Sequence, residues 1–141
     1  MKDESDFEIF LHRRREAASA YVSGDAMPLA EMLVRTAPAS FFGPRGGARQ
    51  GAEEVSATYA QDAQHFAKGG DTHLEILHLG SSGDLGYWVG FQRANARLMG
   101  RTEVEPMSLR VTEVFRRENG EWRLVHRHAD MLASEPEPSP G

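Results

Sequence analysis

The sequence predicts an α+β fold: three N-terminal helices packed in the hollow of a curled antiparallel sheet of four to six strands, a cone-shaped α+β barrel. Three observations carry this. Apolar residues recur at helical spacing through the first half of the chain, for example Phe7, Phe10, Leu11, Ala18, Tyr21 and Val22. From Thr72 onward the spacing changes to alternation. Two long alternating runs then meet at Asn119-Gly120, the dipeptide best suited to a tight turn that needs positive φ at both central positions.

Taken in order, Ser5 with Glu8 reads as a capping box that opens the first helix, and Gly24 stops it. Asp25 caps a shorter second helix with Leu29, Met32 and Leu33 inward, and Pro38 closes the segment. A short strand is expected over Ala39 to Phe42, then an irregular glycine-rich loop, Gly43-Pro44-Arg45-Gly46-Gly47. That loop matches no phosphate-cradling pattern. A third helix begins near Gly51, buries Val55, Tyr59, Ala63 and Phe66, and is ended by Gly69-Gly70. Strands follow over Thr72 to Leu79, Leu85 to Leu98, Thr102 to Arg117 and Glu121 to Leu132, with Pro106 marking a bulge in the third. Residues 1–6 read as an extension, 7–132 as the domain, and 133–141, rich in proline and acid, as a disordered tail.

Length and composition bound the function. A chain of 141 residues with 40% hydrophobic and 26% charged content is one globular domain. The net charge of −5 and the lack of a basic face argue against nucleic acid. With no cysteine there is no disulfide, thiolate or cysteine–zinc chemistry. Neither a signal-peptide core nor a run of about 18 apolar residues is present, so a cytoplasmic protein with no membrane partner is expected.

The order of elements, with Gly24-Asp25, Leu109-Arg110-Val111-Thr112, Val114-Phe115, Asn119-Gly120-Glu121-Trp122 and Val125-His126-Arg127-His128-Ala129-Asp130, resembles the nuclear-transport-factor-two-like, or cystatin-like, superfamily and its SnoaL-like branch over residues 7 to 132. Members include cyclases, isomerases, dehydratases and inert association domains, so the resemblance implies a fold and not an activity. Ketosteroid isomerases use a tyrosine and two aspartates, one of them kept protonated by its apolar surroundings. Alignment on Gly24-Asp25 and Pro44 puts Ala17 at the tyrosine and Gly43 at the catalytic base, while the second acid falls among Arg110 to Thr112, where no residue is acidic. The epoxide hydrolases' Asp-Arg-Asp set is broken by Thr112. Polyketide cyclases of the SnoaL type are more similar, since their acid/base residue sits near the end of the sheet.

That end holds His126, His128 and Asp130, at period two with Trp122 and Leu124, hence on one expected face. Neutral imidazoles there could move a proton at a carbon beside a carbonyl, which makes these three the catalytic candidates. A hydrogen-bonded pair tying the last strand to its neighbour or to a dimer partner is the competing use. Arg110, if inward, could clamp a carboxylate or enolate. Tyr59, Trp88, Tyr21 and Phe41 complete the expected ligand-binding set. Alternation puts Tyr87, Val89, Phe91 and Arg93 on one face of their strand and Trp88, Gly90 and Gln92 on the other, and places Glu113 opposite Arg110. Phe91 is expected in the core. No metal and no cofactor is implied. The expected partners are a small apolar or carbonyl-containing ligand and a second copy of the chain across the outer sheet face. The expected function is small-molecule binding, with cofactor-free isomerase, cyclase or dehydratase chemistry by proton transfer. The alternative is a non-catalytic ligand-sensing or dimeric association module.

Overall fold

A computed structural model describes residues 5–133. The N-terminal layer contains α1 (Asp6–Val22), α2 (Met27–Glu31) and α3 (Ala52–Ala63). The sheet contains β1 (Ser40–Phe42), β2 (Ala48–Gln50), β3 (Phe66–Ser82), β4 (Leu85–Leu98), β5 (Glu105–Glu118) and β6 (Glu121–Met131). Its strand order is β2-β1-β6-β5-β4-β3, so the sheet is open at β2 and β3. The α+β reading therefore holds, with one local exception. β1 lies parallel to β6, whereas every other neighbouring pair is antiparallel.

Ser5 does cap α1: its hydroxyl accepts from the Glu8 amide at 3.1 Å, satisfying one of the free donors of the first turn. The buried stripe of α1 is Phe7, Phe10, Leu11, Arg14, Ala17, Ala18 and Val22. At the sheet end near the Asn119-Gly120 turn, Phe7 meets Phe115 and Trp122 edge-on, with ring centroids 5.5 and 5.0 Å apart. Asn119 has φ 53° and Gly120 φ 80°, as that turn demands.

The third strand departs from expectation. Phe66 opens β3 instead of ending α3, and Gly69-Gly70 sits within the strand at a bulge between Ala67 and Asp71. A Cβ on Gly70 would lie 2.8 Å from the Asn95 carbonyl oxygen, so glycine here serves strand approach, not helix termination. Pro106 pairs in register with Asn95 and marks no bulge. The bulge that matters most is on β6. Val114 pairs with His126 but Phe115 with Leu124, so Val125 is an extra residue on that strand. Residues before and after it consequently alternate in opposite phase. The tail read as disordered lies outside the described residues from Ser134 on.

Candidate functional site

The concave face of the sheet and the three helices enclose a cavity of about 460 Å³, in the range of small-molecule sites. Leu29 of α2, Phe41 of β1, Val22 of α1, and Met107 and Leu109 of β5 give it an apolar wall. Phe41 stacks on Tyr59 at 4.4 Å between centroids and 17° between planes. Tyr21 also lines the cavity, and its hydroxyl donates to the Tyr59 carbonyl oxygen at 3.2 Å.

A buried charge cluster forms part of the floor. Trp88, Glu113 and Arg127 are cross-strand partners on β4, β5 and β6 and point inward together. Glu113 is fully buried. It accepts from Trp88 Nε1 at 2.8 Å, from Arg127 Nη1 at 2.6 Å, and from Arg14 Nε and Nη2 at 2.9 and 2.7 Å. Arg127 Nη2 also donates to Gln92 Oε1, and Gln92 Nε2 to Thr72 Oγ1 at 3.3 Å. Burial pushes the Glu113 carboxyl up, but the Arg14 and Arg127 guanidiniums outweigh it and hold it at about 2. For Arg14, burial opposes the charge and the Glu113 carboxylate more than restores it, so the guanidinium stays protonated.

Two polar atoms in the residues of this wall have no partner: Arg14 Nη1 and the Tyr59 hydroxyl, both buried. Such groups cost free energy unless something satisfies them. Burial raises the Tyr59 and Tyr21 phenols well above their ordinary range, for Tyr59 against the pull of Arg127, so both are neutral hydrogen-bonding groups and not bases. Asp62 and His65 also line the cavity.

The structure corrects the placement expected for the last strand. The extra residue at Val125 inverts the phase, so Trp122 and Leu124 point inward but Arg127 and Ala129 replace His126 and His128 on the concave side. His126, His128 and Asp130 lie outside the cavity wall, on the outer face. The His126 Nδ1 is 2.7 Å from Ser40 Oγ, and the Phe42 ring touches both imidazoles. Partial burial, followed by the neighbouring His128, lowers the His126 pKa. Arg110 is outward as well, 61% exposed and paired with Asp130 through two hydrogen bonds of 2.6 and 2.8 Å, so it clamps its cross-strand neighbour instead of a ligand. Trp88 faces inward but stands behind the cavity wall as a partner of Glu113. Phe91 is on the outer face under the Arg93 guanidinium, 4.9 Å from the ring centroid, and not in the core. Tyr59, Tyr21 and Phe41 do line the cavity.

Arg14 and Arg127 were not among the expected site residues. Arg14 had a visible signal: it falls within the helical repeat of Phe7, Phe10, Leu11, Ala17 and Ala18, whereas Arg13 does not.

The family described as the SnoaL-like domain matches residues 13–134 of the sequence. This chain belongs to the SnoaL-like domain family. Solved structures agree at the level of fold. A nuclear transport factor 2 (NTF2-like) superfamily protein from Salmonella enterica superposes with TM-score 0.73 at 18% identity, covering 92% of each chain. A candidate dehydratase of the NTF2-like family from Streptomyces avermitilis gives 0.70 at 18%, covering 89% of this chain and 94% of that one. A candidate calcium/calmodulin-dependent protein kinase II association domain from Xanthomonas campestris gives 0.72 at 12%, covering 94% and 91%. Comparison with curated protein sequences gives no match. Identities this low carry the fold and no activity. Among the described residues, no helix is long and apolar enough to cross a membrane, and no three His, Cys, Asp or Glu side chains are grouped to hold a metal.

Proposed function

We propose that this SnoaL-like chain binds a small molecule in its cone, and that the reaction class its cavity suits is cofactor-free proton transfer on a carbonyl compound, as in isomerisation, cyclisation or dehydration. The observation that supports this is the cavity itself: about 460 Å³, walled by Leu29, Phe41, Met107 and Leu109, with a buried charged cluster at part of its floor. A neutral Tyr59 hydroxyl suits the steadying of a carbonyl or enolate oxygen, and Asp62 or His65 would carry the proton. His126 and His128 are not among the residues that line the cavity.

A second reading, a homodimer through the outer sheet face, is favoured by one observation. That face exposes Phe42, Leu85 and Tyr87, with Val89, Phe91 and Val114 half-buried beside them. A single experiment addresses both readings: titration of cyclohexanone into methyl-labelled protein, read by NMR. Saturable shifts of the Leu29, Met107 and Leu109 methyls are expected, with those of Leu85, Val89 and Val114 unmoved by ligand but moved by dilution. Ligand shifts confined to the outer methyls would sink the first reading. Outer methyls indifferent to dilution, in a protein tumbling as a monomer, would sink the second.

A further inference from the structure

The acidic protein has a basic cavity. Although the whole chain carries −5, the charged residues of the cavity wall are Arg14, Arg45, Arg49 and Arg127 against the single carboxylate of Asp62. The imbalance is sharpest among the buried side chains. Arg14 and Arg127 share one counter-ion, Glu113, so the buried trio retains one positive charge. An uncompensated charge in a low-dielectric interior is costly, and a bound anion would relieve it. Unused hydrogen-bonding capacity lies in the same wall, because Arg14 Nη1 and the Tyr59 hydroxyl are buried without partners.

From these observations we infer that the ligand is an organic carboxylate, its charged end held by Arg14 Nη1 and the Tyr59 hydroxyl and its hydrocarbon body lying against Leu29, Phe41 and Leu109. A carboxylate is the anion that fits, since its two oxygens take one guanidinium N–H and one phenol O–H, and its single charge matches the single surplus positive charge. The wall around the body is aliphatic and aromatic, which selects a compact apolar acid over a sugar or a nucleotide. Arg45 and Arg49, the latter paired with Glu54 at 3.4 Å, stand among the exposed lining residues and would draw such an anion in. The inference rests on the cavity being the ligand site.

Calorimetric titration with cyclohexanecarboxylate and with its neutral, nearly isosteric amide, cyclohexanecarboxamide, tests it. The carboxylate is expected to bind at least about tenfold tighter. Arg14→Met is a poor probe because it strips a partner from buried Glu113. Tyr59→Phe removes only a hydroxyl that has no partner, so the fold stands, and it is expected to weaken the carboxylate about tenfold. Equal affinity for acid and amide, or a carboxylate affinity indifferent to Tyr59→Phe, overturns the inference and leaves the cavity reading intact. If neither compound binds at millimolar concentration, the inference falls, and the cyclohexanone titration decides the cavity reading separately.

Discussion

Glu113→Ala is expected to lower stability by about 3–5 kcal/mol, a large fraction of what a domain of this size ordinarily has. Few substitutions on the chain have more to lose. The carboxylate accepts four hydrogen bonds from three side chains on α1, β4 and β6, and its removal leaves two arginines facing each other out of water. Glu113→Gln should fare better than alanine because its amide oxygen still accepts, although its NH₂ group would then confront a guanidinium. Chemical denaturation of the two variants beside the parent provides the measurement. The same residue sets the acid limit. With a folded-state pKa held at about 2, against 4.5 for an ordinary glutamate, its stabilisation is complete above about pH 4.5 and is lost as pH falls towards 2. Glu118, also held at about 2, chiefly by the Arg35 amide and then by Thr36 and Arg116 against its burial, acts in the same window. The parent should therefore lose stability steeply below pH 4.5, and Glu113→Ala more gently. A Glu113→Ala protein as stable as its parent at pH 7 would show that the cluster is not what holds the cavity floor.

Gly90→Ala should be comparably damaging for a different reason. A Cβ at this position would stand 2.0 Å from the Glu75 carbonyl oxygen and 3.0 Å from the Leu77 amide nitrogen, and neither can move without breaking the β3–β4 ladder. The approach exists because β3 carries an extra residue between Ile76 and His78, which presses its backbone onto Gly90. Relief requires the two strands to separate at the middle of the sheet, so a loss above about 3 kcal/mol, or insoluble protein, is expected. The Gly86→Ala substitution is a useful comparison: its Cβ would meet the Phe7 ring at 2.7 Å, a buried side chain rather than ladder backbone, so a smaller loss is predicted from the same thermal unfolding series. A Gly90→Ala protein that melts with its parent would refute the close-approach account.

Which parts of this molecule could be read from sequence follows from what sets each part. The long helices and the last three strands were legible from their apolar periods, and the Asn119-Gly120 turn because its backbone needs those residues, whereas β2 and the start of β3 were not. Alternation along a single strand also worked where no bulge intervened, as with Trp88 and Gln92 inward and Glu113 opposite Arg110. It failed on β6 because the inserted residue is Val125. Valine suits an ordinary strand position, and no glycine or proline announces the change of phase. Two histidines consequently took the place that belongs to Arg127. Arg14 carries a signal of its own in the helical repeat, but its run with Arg13 and Arg15 also resembles a solvated face, and only Arg14 is fully inside the apolar stripe. The buried cluster arises from four elements meeting, Arg14 and Glu113 being 99 positions apart, and no local pattern encodes that meeting.

We propose that the chain acts at its concave face, where the buried Arg14, Arg127 and Glu113 carry one surplus positive charge beside Tyr59. A crystal structure of the protein with cyclohexanecarboxylate addresses this most directly. The account predicts one carboxylate oxygen within hydrogen-bond distance of Arg14 Nη1 and the other near the Tyr59 hydroxyl, with the ring against Phe41 and Leu109. A carboxylate seated instead beside His126 and His128, or a ring lying in the cavity with its charge turned out to bulk water, would contradict it.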